Sequence, residues 1–306
     1  MSCRKLGSGY AAEIDAVVAG FHSVLSISLD ALSLAENPTV TFHEVLHERI
    51  LMRTPDGLTH LRLKQLSVEC AADEGTRNWA AQWCEAIEQE SAIAHESIAT
   101  YCGIKQAACK EHPAAIAALS ADYLSWFQSL AEPIDKVFYA SYVQYLIGWF
   151  LAELCFSTSM PARICLNRPG SAIVFADDEK PNWRLERILD RFSEEEMKDL
   201  LRCLQAVTTV DIQSEDAWEA LPIQDQKSLD GQLSKTIREW AEERDFGLDT
   251  TVAYGDWGAL TSKVVTHLDS LEGGEMPSPL DPSRSGGQPP ITDDLHKSSN
   301  ETARTS

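Results

Sequence analysis

Residues 141–154 read SYVQYLIGWFLAEL and sit at the end of a longer stretch, 137–152, that contains no charged residue; Glu153 then follows. A bilayer-spanning helix needs about 20 apolar residues, and this stretch is shorter and contains Tyr, Ser and Gln. It therefore reads as a core helix, drawn at 134–156. Being apolar on every side, it is expected to be the central helix of a bundle. At about 100° per residue, Tyr142, Tyr145, Trp149 and Glu153 fall on one face. A carboxylate in such a place must be paired, protonated or used to hold something. A pocket walled by these aromatic rings follows, with Glu153 as its acid, base or anchor.

Helical periodicity extends outward from this segment. Ile14, Val17, Val18, Phe21, Leu25, Leu29 and Leu32 recur at steps of three and four and predict a helix over 10–36 that stops before Pro38. Helices follow at 41–52 and 58–70, separated by the Pro55-Asp56-Gly57 turn. The stripe Trp79, Trp83, Ile87, Ala94, Ile98 and Tyr101 predicts a helix over 76–102, with Gly103 as its left-handed stop. Glu90 falls inside that stripe, so its carboxylate is expected to face the core and is a second candidate acid-base group. Further helices are expected at 114–130, 183–192, 193–207, 231–244 and 250–271. Between them, two β-prone runs around Pro169-Gly170 suggest a small hairpin near 162–176.

The fold class is thus all-α, with one helical domain over 1–271. Residues 272–306, rich in Gly, Pro and Ser, have too few large apolar side chains to offset the entropy of ordering and read as a disordered tail. The formal charge of −21 argues against a nucleic-acid backbone or an anionic membrane surface as partner. A small-molecule ligand remains, and homo-oligomer formation is left open. Eight cysteines without a CxxC pair exclude a zinc ribbon and a dithiol redox motif. The N-terminal residues lack the apolar run of a signal peptide, which makes the expected location cytoplasmic.

The HEVLH stretch at 43–47 matches HExxH on an expected helix. The i, i+4 spacing puts His43 and His47 on one side, where two imidazoles bind zinc while Glu44 activates a bound water. Glu69 and Glu74 are the candidate third ligands. Glu88 and His95, seven residues apart, share a face of the next helix and read as solvated.

Residues 91–207 resemble the thiaminase-II (TenA) and pyrroloquinoline-quinone synthase group. The likeness rests on HESIATYCGI, ADYLSWFQSLAEP, YVQYLIGWFLAEL and NWRLERILDRFSEEEMKDLL. The resemblance implies a haem-oxygenase-like helical bundle that binds a small aromatic or heterocyclic molecule. Tyr123 matches the tyrosine of its Tyr-x-x-Leu/Phe helix and Glu153 the glutamate near the end of its central helix, while Phe192 stands where a pocket tyrosine is usual. Ile147 stands where that family has its reactive cysteine. Di-iron relatives of the superfamily resemble Glu88, His95 and Glu153 at three ligand positions, but their closing histidine motif is missing at 183–192. The leading expectation is therefore a small-molecule-binding bundle, with Glu153 and Glu90 as catalytic carboxylates and Tyr123, Tyr142, Tyr145 and Trp149 binding the ligand. The zinc-dependent hydrolase and a non-catalytic interaction module are its alternatives, and the identity of any cofactor or metal stays unknown.

Overall fold

A computed structural model describes residues 38–69, 71–107, 111–248 and 251–272, together with four strands of two or three residues near the N-terminus. Those strands pair in antiparallel fashion, Ala11–Glu13 with Ser28–Asp30 and Val17–Val18 with Phe21–His22. They replace the helix expected over 10–36 wherever that stretch is described; β-branched Val17 and Val18 favour the extended backbone. The remainder of that helix and the tail from 273 onward lie outside the described residues.

Among the described residues all other regular structure is helical. The principal helices are α1 (Pro38–Arg53), α2 (Pro55–Val68), α3 (Glu74–Gln106), α4 (His112–Ala117), α5 (Ala121–Ile134), α6 (Ser141–Cys155), α7 (Met160–Leu166), α8 (Pro181–Leu189), α9 (Glu194–Ala206), α10 (Glu215–Glu219), α11 (Ile223–Glu242) and α12 (Trp257–Glu272). None of the described helices is long and apolar enough to cross a membrane.

The long helix α3, rather than α6, is the axis of the molecule: α1, α2, α5, α6 and α8 all pack against it. Its N-terminal half carries Trp79, Trp83 and Ile87 into one core with Leu63, Leu66, Met160, Ile164, Val264 and Leu268. Its C-terminal half carries Ile98, Tyr101 and Ile104 into a second core with α1, α5, α6, α8, α9 and α11. Helix α6 is buried on nearly all sides, as its composition requires, but it starts at Ser141. Residues 135–140 form the turn from α5, and Pro133 lies inside the last turn of α5.

Two other expectations are corrected. Gly103 does not stop a helix: α3 continues through it to Gln106. A Cβ at Gly103 would stand 2.9 Å from the His43 backbone nitrogen, so the missing side chain is what lets α1 lie directly on α3. No strand forms at 162–176. Met160–Leu166 is a short helix with Pro161 in its first turn, where a missing N–H costs nothing. Ile164 is fully buried in the first core and Arg163 pairs with the buried Glu179 at 2.7 Å, so packing overrides the β-propensity.

The corner between α1 and α2 is made by Thr54 alone. Its hydroxyl donates to the Ile50 carbonyl at 2.8 Å and accepts from the Gly57 N–H at 3.2 Å, capping α2. A Cβ at Gly57 would come within 2.4 Å of the Ile50 carbonyl oxygen, so this sharp reversal also depends on glycine.

Candidate metal centre

Gly103 lies two turns along α3 from Glu96, and the close approach it permits seats His43 and His47 over that carboxylate. His43 Nε2 is 3.3 Å and His47 Nε2 3.4 Å from Glu96 Oε2, and the two ring nitrogens are 2.8 Å apart. A tetrahedral ion bound at about 2.05 Å spaces its ligand atoms about 3.3 Å apart. Two sides of the observed triangle have that length, and the third, between the two imidazoles, is shorter at 2.8 Å. His43, His47 and Glu96 form the group of histidine, cysteine and carboxylate side chains, among the described residues, whose ligand atoms converge closely enough to hold a metal ion. The third candidate ligand is thus Glu96, not Glu69 or Glu74: Glu69 accepts a hydrogen bond from the Ala71 N–H, and Glu74 is exposed at the start of α3.

Hydrogen bonding alone does not satisfy this triangle. Two imidazole nitrogens 2.8 Å apart can share one proton, and the acceptor, its one lone pair so used, has no N–H to offer the carboxylate oxygen 3.3–3.4 Å away. The same Oε2 also accepts from the Tyr123 hydroxyl at 3.1 Å. Burial would raise the Glu96 carboxyl, but contacts with His43 and His47 outweigh it and hold the group well below the usual carboxylate range. Glu96 is therefore an anion at neutral pH, ready to ligate. A net charge of −21 adds a long-range attraction for cations.

The outer nitrogens of both histidines are also held, as metal-binding imidazoles require. His43 Nδ1 faces the Thr100 hydroxyl at 3.4 Å, and His47 Nδ1 lies 2.6 Å from His95 Nδ1. When both Nε2 lone pairs turn to the centre, His47 carries its proton on Nδ1 and donates it to His95 Nδ1. The proton of His95 then sits on Nε2. Burial, reinforced by His47, pushes His95 well below the ordinary histidine value, so it stays neutral. Its Nε2 is sealed from solvent and makes no hydrogen bond.

The residues singled out from sequence divide among several places. Tyr123 joins the metal cluster, its ring 5.8 Å from that of His43. Tyr145, Trp149 and Glu153 do come together, lining a cleft of about 1000 Å³ with Arg49, Asp230 and Arg238. There Glu153 is fully engaged: Arg238 donates to both of its oxygens at 2.8 and 2.7 Å, and Trp149 Nε1 donates at 2.9 Å. The Arg49 guanidinium stacks 4.3 Å from the Trp149 ring and donates to the Tyr145 hydroxyl. Burial, partly offset by Arg49, pushes that hydroxyl up to about 12. Tyr142 leaves this group and stacks on Trp218 with ring centroids 3.9 Å apart. Glu90 is half-buried and lines a different, smaller cavity beside His95. His95, read as solvated, is inside; Glu88 is exposed and contacts His60, which with Lys64 holds its carboxyl down at about 2 despite partial burial.

His95 was named from sequence only as a solvated residue and as a di-iron ligand position of the resemblance, and Glu96 and Thr100 were not among the ligands or partners read from it. Their signal was the helical spacing 96, 100, 103, which puts a carboxylate, a hydroxyl and a glycine on one face of α3. No family model, curated protein or solved structure matches the chain.

Proposed function

We propose that this protein is a metal-dependent hydrolase, with one divalent transition-metal ion, zinc by preference, at His43, His47 and Glu96. The triangle of ligand atoms, 2.8 to 3.4 Å on its sides, is the observation that carries the reading. Two imidazoles and one carboxylate match the donor set of catalytic zinc sites, which keep their fourth position for water or substrate. Such an ion lowers the pKa of bound water to about 7 and polarises a carbonyl. The HExxH order favours hydrolysis over oxygen chemistry, which shares the same donor set, because Glu44 directly follows a ligand histidine and supplies the general base. Tyr123 holds Glu96 in position through its hydroxyl. Thr100 and His95 fix the two imidazole rings.

Metal analysis of the purified protein, followed by cobalt substitution, tests this reading. One ion per chain and the visible spectrum of a four- or five-coordinate cobalt centre are expected, with both lost in His43→Ala, His47→Ala and Glu96→Ala. Glu44→Gln is expected to keep the ion but alter the pH titration of the cobalt spectrum, because the base beside the bound water is gone. A protein that takes up no more than traces of zinc or cobalt contradicts the proposal.

A second reading is favoured by the cleft at Tyr145, Trp149 and Glu153. The likeness of residues 91–207 to the thiaminase-II group supports small-molecule binding there, with Trp149 as a stacking surface and Glu153 as an anchor locked by Arg238. In this reading Glu153 orients a ligand and does not transfer protons, since both of its oxygens already accept hydrogen bonds.

A further inference from the structure

A second cavity, of about 160 Å³, lies between α2 and α3 and is bordered by the ligand residue Glu96 and its neighbour His95. Its walls are mainly apolar, with Ile87, Phe156 and Phe175 among them. Two polar atoms on residues lining it, Asp56 Oδ2 and His95 Nε2, are sealed from solvent and have no hydrogen-bond partner. His60 Nε2, also on the cavity wall, is taken up by its contact with Glu88 Oε1 at 3.4 Å. A buried polar atom left unpaired costs about 1–3 kcal/mol, so two on residues bordering one void need an explanation. Asp56 is fixed independently of the void, its Oδ1 accepting from the Thr158 N–H at 3.2 Å. Burial, partly offset by Thr158, pushes its carboxyl up to about 7, so at neutral pH it exchanges between donor and acceptor.

We infer that this cavity is the substrate pocket, and that its occupant is a small molecule of about benzene size, with an apolar body and an atom that accepts a hydrogen bond from His95. The volume is close to the ~150 Å³ at which an apolar protein cavity takes up benzene. The two residues with unpaired atoms reach the cavity from different elements, Asp56 from α2 and His95 from α3. His95 joins the two sites: one ring nitrogen steadies His47, and the unpaired other belongs to a residue that borders the cavity. The substrate role of this occupant and the proton on His95 Nε2 rest on the metal-centre reading; the cavity itself does not.

Phenol and toluene are suitable probes, being equal in size while phenol alone offers an oxygen acceptor. Their affinities are measured by ligand-observed NMR on the full chain, zinc-loaded and chelator-treated, with zinc content determined in parallel. Phenol is expected to bind at least about tenfold tighter than toluene, the equivalent of one hydrogen bond. His95→Leu should bring the two level, and Ile87→Trp, which fills the void, should abolish both, circular dichroism showing that each variant is folded. Failure of both probes to bind a zinc-retaining protein overturns this inference and leaves the metal centre standing. So does a phenol preference unchanged in His95→Leu, or a crystal structure soaked in phenol with only water in the void. Phenol bound to a protein that never takes up zinc overturns the hydrolase reading alone.

Discussion

Glu153 and Glu96 both sit among aromatic rings and cationic or potentially cationic side chains, yet they are opposite solutions to burying a carboxylate. At Glu153 the donors are spread over both oxygens, with Arg238 bidentate and Trp149 completing the set. At Glu96 two imidazoles and a phenol crowd a single oxygen, and the imidazole nitrogens face each other. The first arrangement is complete as it stands and needs nothing further. The second is completed by a cation. Crowded lone pairs, rather than burial or the presence of a carboxylate, mark the place where a ligand is required.

The largest effect that would break this comparison is the response to chelation. If zinc is held at His43, His47 and Glu96, protein at a zinc concentration 1,000 times its Kd loses about 4 kcal/mol on chelation. Thermal unfolding with and without chelator should show this drop in the wild type and none in His47→Ala; equal unfolding curves for the wild type would erase the distinction between the two carboxylates. Next comes Arg238→Met, which strands Glu153 in the interior at a cost of about 3 kcal/mol. Urea denaturation should show that loss whether or not zinc is present, and the double variant with Glu153→Gln should recover part of it.

Asp56 supplies a third, smaller test through pH. Its carboxyl is raised from 3.8 to about 7 in the fold. Between those values the native state keeps a proton that the unfolded chain has lost, so stability falls as pH rises and the full penalty is present above 7. Relative to the wild type, Asp56→Asn should therefore gain stability between pH 4 and pH 8, by at least about 2 kcal/mol. An unchanged pH profile would show that Asp56 is hydrated. The smallest effect on stability, about 1 kcal/mol, is expected for Gly103→Ala, whose methyl group pushes α1 away from α3. Its zinc affinity should nevertheless fall tenfold or more in a chelator competition, because the ligands sit on those two helices.

What the sequence made legible was local. An uncharged stretch at 137–152 identified the buried helix α6, and the i, i+4 histidines identified one side of the centre, because both patterns live within a few turns of one helix. Glu96 was not legible as a ligand, since its partnership with His43 and His47 depends on how α1 lies on α3. Gly103 explains the difficulty: glycine is equally suited to ending a helix and to letting another helix approach, and only the packing distinguishes the two. The hairpin expected near 162–176 failed for a related reason, as Ile164 and Arg163 take helical positions because the core and Glu179 are there to receive them. Tyr142 shows the same limit within a single face: Trp218, from a distant helix, draws it away from Tyr145 and Trp149.

The most direct test of the metal centre is anomalous diffraction at the zinc edge from crystals of the zinc-loaded protein. The account predicts one strong peak about 2.0–2.2 Å from His43 Nε2, His47 Nε2 and a Glu96 oxygen. A map without density there, with the two imidazoles still 2.8 Å apart after zinc has been supplied, would contradict it.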